Sequence, residues 1–252
     1  MQAKAKNRSA MPAESGRTRG QAQLHAWLED QIAEGHLAPG DRIDEKALCE
    51  KFDVSRTPVR EALLKLSSVG LIKFLPRQGA VVARLSVKEL VSMWEVLTDL
   101  EGLCAELAAR RIPPKMRAEL AAVHEAGRLA MEKNAVARYD DANRRLHGII
   151  YSGTQNEYLA NQVTDIRHRI GAYRRLGFER PGGISRSFQG HDEVVKAILA
   201  GDDTGAATAM REHVSGGLTF LDFIAEVTAT AEAPTRKPPA RSRPVGAIGK
   251  TR

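Results

Sequence analysis

The chain has 252 residues, 42% of them hydrophobic and 27% charged, which excludes a wholly disordered, collagen-like or fibrous chain and, by length, allows one large domain or two modest ones. The net charge of +7 sits mostly at the ends: residues 1–20 carry five basic and one acidic side chain and residues 231–252 six and one, so the body between them is slightly acidic. No apolar run approaches the roughly 18 residues that span a bilayer, and the basic start lacks the apolar core of a secretory signal, so a cytoplasmic protein with no membrane partner is expected.

Residues 1–20 read as a disordered basic tail. The spacing of Leu24, Trp27, Leu28 and Ile32 predicts a first helix, Ala47, Leu48 and Phe52 a second, and Val59, Leu63, Leu66 and Val69 a third. Pro39-Gly40-Asp41 separates the first two, Asp44 stands as N-cap of the second and Ser55 as N-cap of the third, with Pro58 still in its first turn and Gly70 at its end. Two short β-prone runs, Leu71 to Leu75 and Ala80 to Ala83, flank Pro76-Arg77-Gln78-Gly79 and predict a hairpin. Three helices and a hairpin over 21–85 make a winged helix-turn-helix. Charge agrees with that reading, because residues 55–84 hold six basic groups against one acidic, directly after 21–54 with three against eight. Such a local pole suits phosphate contact, where each neutralised phosphate releases condensed counterions.

From Ser86 the pattern changes to long, alanine-rich amphipathic segments near 87–111, 115–132, 136–152, 156–178, 186–200 and 204–226, broken by Pro113-Pro114, Gly153, Pro181-Gly182-Gly183 and Gly201-Asp202-Asp203. The expected fold is therefore mainly α: the winged helix, then an all-α antiparallel bundle over 86–228, then a second disordered basic tail over 229–252. Cys49 and Cys104 are too few and too isolated for a disulfide framework or a thiolate zinc site and are expected to be buried, reduced thiols.

In the third helix Arg56 and Arg60 lie four residues apart and project from one face, while Val59, Leu63 and Leu66 take the other. A helix N-terminus with two guanidinium forks suits the major groove, where arginine bonds guanine O6 and N7 and backbone amides meet phosphate. The segments Glu34-Gly35-His36-Leu37-Ala38-Pro39-Gly40-Asp41-Arg42-Ile43, Val54-Ser55-Arg56-Thr57-Pro58-Val59-Arg60-Glu61-Ala62-Leu63 and Gly70-Leu71-Ile72 resemble the GntR superfamily of bacterial transcription regulators, in the right order over 21–84. The resemblance implies DNA contacts from Arg56 and Arg60, phosphate contacts from Ser55 and Thr57, and wing contacts from Arg77 and Gly79. Lys46 stands where regulators of the fatty-acid type often have a DNA-contacting arginine, so it keeps a phosphate contact without the bidentate option.

The second half is similar to the ligand-binding FCD domain of the FadR subfamily over 87–226, through Leu100-Glu101-Gly102, Ala108-Ala109, Asn143-Arg144-Arg145-Leu146-His147, Ser152-Gly153-Thr154-Gln155-Asn156, His191-Asp192-Glu193 and Met210-Arg211-Glu212-His213. That likeness implies a divalent metal held by Asn143, His147, His191 and His213, with zinc or nickel suited to three neutral imidazoles. Two positions depart from the family pattern. Asn143 replaces a common Asp, which should weaken binding of the ion or leave it to three histidines plus water or effector, and Leu97 replaces an arginine that relatives use to hold an acid. Arg144, Arg174 and Arg175 are candidate anion partners, with a solvated helix face as the ordinary alternative. The implied protein is a metabolite-responsive regulator, a repressor by family habit. It would bind a pseudo-palindromic double-stranded DNA operator as a homodimer, with a small organic acid effector near the metal. The alternatives are a DNA-bound structural protein with an effector-insensitive bundle and a metal-dependent hydrolase on a DNA-binding head. The hydrolase lacks a placed general base, a glycine-rich phosphate loop and a nucleophile elbow, so no enzyme is expected.

Overall fold

The computed structural model describes residues 16–216. The head comprises α1 (Gly16–Ala33), α2 (Glu45–Phe52), α3 (Arg56–Ser68), β1 (Ile72–Leu75) and β2 (Gly79–Val82). Local chemistry explains the boundaries. The Asp44 carboxylate accepts the amides of Lys46 and Ala47 at 2.9 and 3.1 Å, satisfying orphan donors of α2. Past α3, Gly70 takes a left-handed conformation and lets the Leu71 amide reach back to the Leu66 carbonyl at 2.9 Å. The strands pair antiparallel with Leu75 opposite Gly79, and the turn between them closes from the Gln78 amide to the Leu75 carbonyl at 3.2 Å. A third rung joins them, because Arg42 bridges Val81 and the Ile43 amide bonds the Ala80 carbonyl. Leu24, Leu28, Ile32, Leu48, Val59, Leu63, Leu66, Ile72 and Val82 close one core.

The bundle comprises α4 (Val87–Arg111), α5 (Pro114–Glu132), α6 (Val136–Gly153), α7 (Glu157–Glu179), α8 (Gly183–Ala200) and α9 (Asp203–Ser215). Ser86 and Glu89 form a reciprocal capping box that starts α4. Cys104, Ala105, Ala108 and Ala109 on α4 and Ala206 on α9 are fully buried, and such small side chains let the two backbones approach closely while Leu97, Leu146, Val163, Ile170, Val194 and Ile198 fill the core around them. Among the described residues no helix is long and apolar enough to cross a membrane.

The head rests on the bundle through α1 and α7. A methyl on Gly171 would stand 2.7 Å from the Ala33 carbonyl oxygen, so glycine permits this approach. Around it the Arg144 guanidinium pairs with Glu34 at 2.9 Å and Asp140 at 2.8 Å, and Arg175 Nη1 donates to the Glu34 carbonyl at 2.9 Å. Tyr173 Oη accepts the Leu85 amide at 3.0 Å, tying the interdomain link to α7.

Four expectations need correction. The tail expected over 1–20 overlaps α1, which already begins at Gly16, with no proline between there and Leu24; residues 1–15 lie outside the described residues. The last helix, expected to reach residue 226, closes at Ser215, where Gly216 turns left-handed and its amide caps the Glu212 carbonyl; the rest of that expectation and the tail over 229–252 lie outside the described residues. Ser55 occupies the N-cap of α3 without a side-chain cap hydrogen bond. Cys49 is half-buried on α2, while Cys104 is buried as expected.

Candidate DNA-reading face and metal centre

On α3 the buried side chains are Val59, Ala62, Leu63 and Leu66, and Ser55, Arg56, Thr57 and Arg60 are all exposed on the remaining face. Packing alone produces that division, since a helix with one apolar stripe must turn its other residues outward. Arg60 is not a bare cation: its Nε lies 3.4 Å from Glu45 at the start of α2. Lys46, next to Glu45, is exposed and pairs loosely with Glu50 at 3.7 Å. The structure thus brings Arg60 and the α2 N-terminus together around one carboxylate. Arg77 and Gly79 are exposed at the hairpin turn, both with positive φ, 64° and 77°.

The second cluster lies inside the bundle. Asn143 and His147, one turn apart on α6, face inward beside His191 from α8 and His213 from α9. One ring nitrogen from each histidine falls within 4.8 Å of the others, and His147 Nε2 lies 3.2 Å from His191 Nε2. Gly190 makes the convergence possible, because a methyl there would run into the His213 ring, 3.0 Å from its Cγ and nearer still to Nδ1. The Asn143 amide oxygen is buried and has no hydrogen-bond partner among the described residues, an arrangement that costs energy unless something electropositive occupies the space it faces.

Electrostatics favour lone pairs over protons on these rings. Burial pushes His147 down to about 4, with Arg167 adding to the effect and Glu101 opposing it. Burial and then His147 lower His213 to about 3, and burial with its two histidine neighbours holds His191 well below the ordinary imidazole range. Three neutral imidazoles and an unsatisfied amide oxygen fit a borderline divalent cation such as zinc or nickel.

A surrounding layer was invisible in the spacing of the histidines. Glu101 of α4 is fully buried; its Oε2 lies 2.8 Å from His147 Nδ1 without an aligned hydrogen bond, and its Oε1 accepts from Arg167 of α7 at 2.5 Å. Burial alone would raise this carboxyl, yet Arg167 and His147 together hold it well below the usual carboxylate range. Tyr139 Oη meets His191 Nδ1 at 3.2 Å and Tyr151 Oη meets His147 Nδ1 at 3.4 Å. Such outer partners orient metal-binding imidazoles. One signal was present: Glu101 shares a helix face with Leu97, Cys104 and Ala108, and Arg167 with Val163 and Ile170, so each charge stands on an apolar stripe.

Beside His213 opens a cavity of about 550 Å³ lined by Trp94, Arg174, Phe178, Ser187, Gln189 and His213 among others. The three candidate arginines separate here. Arg144 and Arg175 belong to the contact with the head, whereas Arg174 faces the cavity. Burial, then Arg167, lowers Arg174 to about 10, which leaves it cationic at neutral pH. Leu97 is fully buried in the bundle core.

Comparison with known proteins places both halves. The model of "Bacterial regulatory proteins, gntR family" matches residues 21–82 and that of the "FCD domain" residues 92–216. The chain is 27% identical over 201 residues to the HTH-type transcriptional regulator McbR of Escherichia coli K12, covering 79% of this chain and 91% of that one. Against the solved structure of E. coli McbR/YncC the TM-score is 0.74 at 25% identity, over 83% of this chain and 98% of the other. It is 32% identical over 130 residues to an HTH-type transcriptional regulator in the TAR-I ttuE-ttuC' intergenic region of Agrobacterium vitis, over 50% of this chain and 75% of that one. It is 25% identical over 214 residues to the E. coli K12 transcriptional repressor GlaR, over 81% and 96% of the two chains.

Proposed function

This chain belongs to the gntR family of bacterial regulatory proteins and carries an FCD domain, and on that premise we propose that it is a metal-dependent, acid-responsive repressor acting as a homodimer on a pseudo-palindromic operator. The relatives are transcription regulators rather than enzymes, which sets the hydrolase aside. Asn143, His147, His191 and His213 would hold the ion, whose Lewis acidity supplies a fixed positive charge for an effector carboxylate. Arg56, Arg60, Ser55 and Thr57 would meet the operator from α3, Lys46 from α2, and Arg77 and Gly79 from the wing.

The observation that carries this reading is the junction of head and bundle. Arg144, which holds Glu34 of the head, is the residue after Asn143, and Arg175, which holds the Glu34 carbonyl, is the residue after Arg174 in the cavity wall. A ligand that shifts α6 or α7 therefore moves the groups that fix the head. That link supplies the differential contact an effector needs in order to favour one state over the other. A second copy has a natural seat on the outer face of α4. Met93, Val96, Leu100, Leu103 and Leu107 recur at alternate spacings of three and four, the pattern of a helix-pairing seam. Val96 and Leu103 are 51% and 37% exposed and the other three half-buried. A two-fold axis at Leu100 would bring Met93 to Leu107 and Glu89 to Arg111 of the partner.

The test is operator affinity of the Zn²⁺-loaded protein with and without candidate acids. A fall of about 5- to 150-fold, the usual range of allosteric coupling, supports the reading. Acids that bind without changing operator affinity point to the effector-insensitive alternative.

A further inference from the structure

We infer that Arg174 is the second anchor for the effector and that the effector is a dianion, with one anionic group at the three-histidine centre and the other on this guanidinium. The inference rests on the acid-responsive reading above and specifies its ligand. Arg174 lines the cavity beside His213 and has no hydrogen bond or ion pair with any described residue. The carboxylates that could neutralise it are committed elsewhere: Glu101 to Arg167 and Asp140 to Arg144, with Arg175 at 3.9 Å. At the cavity mouth Arg186 donates to the Pro181 carbonyl at 3.3 Å and Glu193 pairs with Lys196 at 3.5 Å.

The two anchors select two anionic groups, and the interior charges favour a ligand with more than one negative charge. Around neutral imidazoles and the neutral Asn143 stand one carboxylate, Glu101, and two guanidiniums, Arg167 and Arg174, so the centre is already cationic by one. A divalent ion raises that to three. Unbalanced charge in a partly dehydrated interior is costly, and a monoanion would cancel only one charge whereas a dianion cancels two. The arginine missing at Leu97 is thus answered from α7 by Arg174, which lines the same cavity as His213.

The experiment compares matched ligands on the full-length Zn²⁺-loaded protein by calorimetry: malonate, succinate and glutarate against the monomethyl ester of each. The expected result is at least a tenfold preference for a diacid over its own ester, with an optimum chain length. Arg174→Gln should erase the preference without weakening Zn²⁺ binding, because it removes one cation from an interior that is already cationic, and Arg174→Lys should keep part of it. Because Arg174 makes no hydrogen bond or ion pair with any described residue, Arg174→Gln should melt no lower than the parent, whereas a structural role would lower its melting temperature. Diacid and ester binding equally, or a preference that survives Arg174→Gln, overturns the inference while leaving an acid-responsive regulator intact. If none of the acids binds or releases DNA, the reading of the previous subsection falls and this one with it.

Discussion

Replacing Gly190 by alanine isolates the metal centre from the rest of the fold. The added methyl would lie 3.0 Å from His213 Cγ and 3.1 Å from its Cβ, where carbon atoms ordinarily rest about 3.5 to 4 Å apart, so the ring must retreat by about half an ångström or more. Metal–ligand distances tolerate only about 0.2 Å, and His213 is half-buried with the cavity beside it, so the ring turns into that space instead of disrupting the core. The stability cost of such overpacking is about 1 to 3 kcal/mol, and loss of one of three imidazoles should weaken Zn²⁺ by at least the roughly 10- to 100-fold seen for outer-layer changes. Competition titration against a chromophoric chelator measures the affinity, and the visible spectrum of the Co²⁺ form reports the ligand set. A variant that folds and holds Zn²⁺ as tightly as the parent, with an unchanged Co²⁺ spectrum, refutes the assignment of His213 and the three-histidine centre.

Arg56→Ala should cost about 1 to 3 kcal/mol of operator binding, read by anisotropy against random DNA; an equal loss on both duplexes marks a phosphate contact. Arg60→Ala should cost less than Arg56→Ala, because Arg60 must first leave Glu45, and Glu45→Gln should tighten binding to any DNA. The metal-free protein should lose stability as pH falls from about 6.5 towards 4: His147 is depressed in the folded state, so the unfolded chain takes up the proton first, a loss on the order of 3 kcal/mol at the lower limit. Urea titrations across that range test it, and a flat profile contradicts the buried neutral imidazole. Leu103→Glu should convert dimer to monomer in sedimentation while the metal affinity is kept; a dimer that persists removes the α4 seam.

Legibility in the sequence tracked the range of the interactions. Asp44, Gly70 and the Pro76 turn act within a few residues of themselves, so the head's elements could be read directly. The rung at Arg42 escaped because it pairs with Val81 across a long separation and is too short to alternate. On α6 the step from Asn143 to His147 is a helical turn and plain to see, but the arrival of His191 and His213 depended on family likeness, since nothing in their own spacing says that three helices meet. Glu101 and Arg167 were missed because each is half of a buried pair whose other half lies 66 residues away. Arg174 and Arg175 are neighbours in sequence yet diverge by about 100° around the helix axis, one to the cavity and one to the head, and only the packing of α7 reveals which is which.

The most direct test of the central claim is fluorescence anisotropy of the full-length protein with the tightest fragment selected from its source genome and with a scrambled duplex, over a salt series. The account predicts a preference of about a thousandfold or more at physiological salt, two protomers per fragment, and a reduced preference on adding the diacid that binds best. Equal, steeply salt-dependent affinity for both duplexes would contradict it, since that is how a chain held only by phosphates behaves.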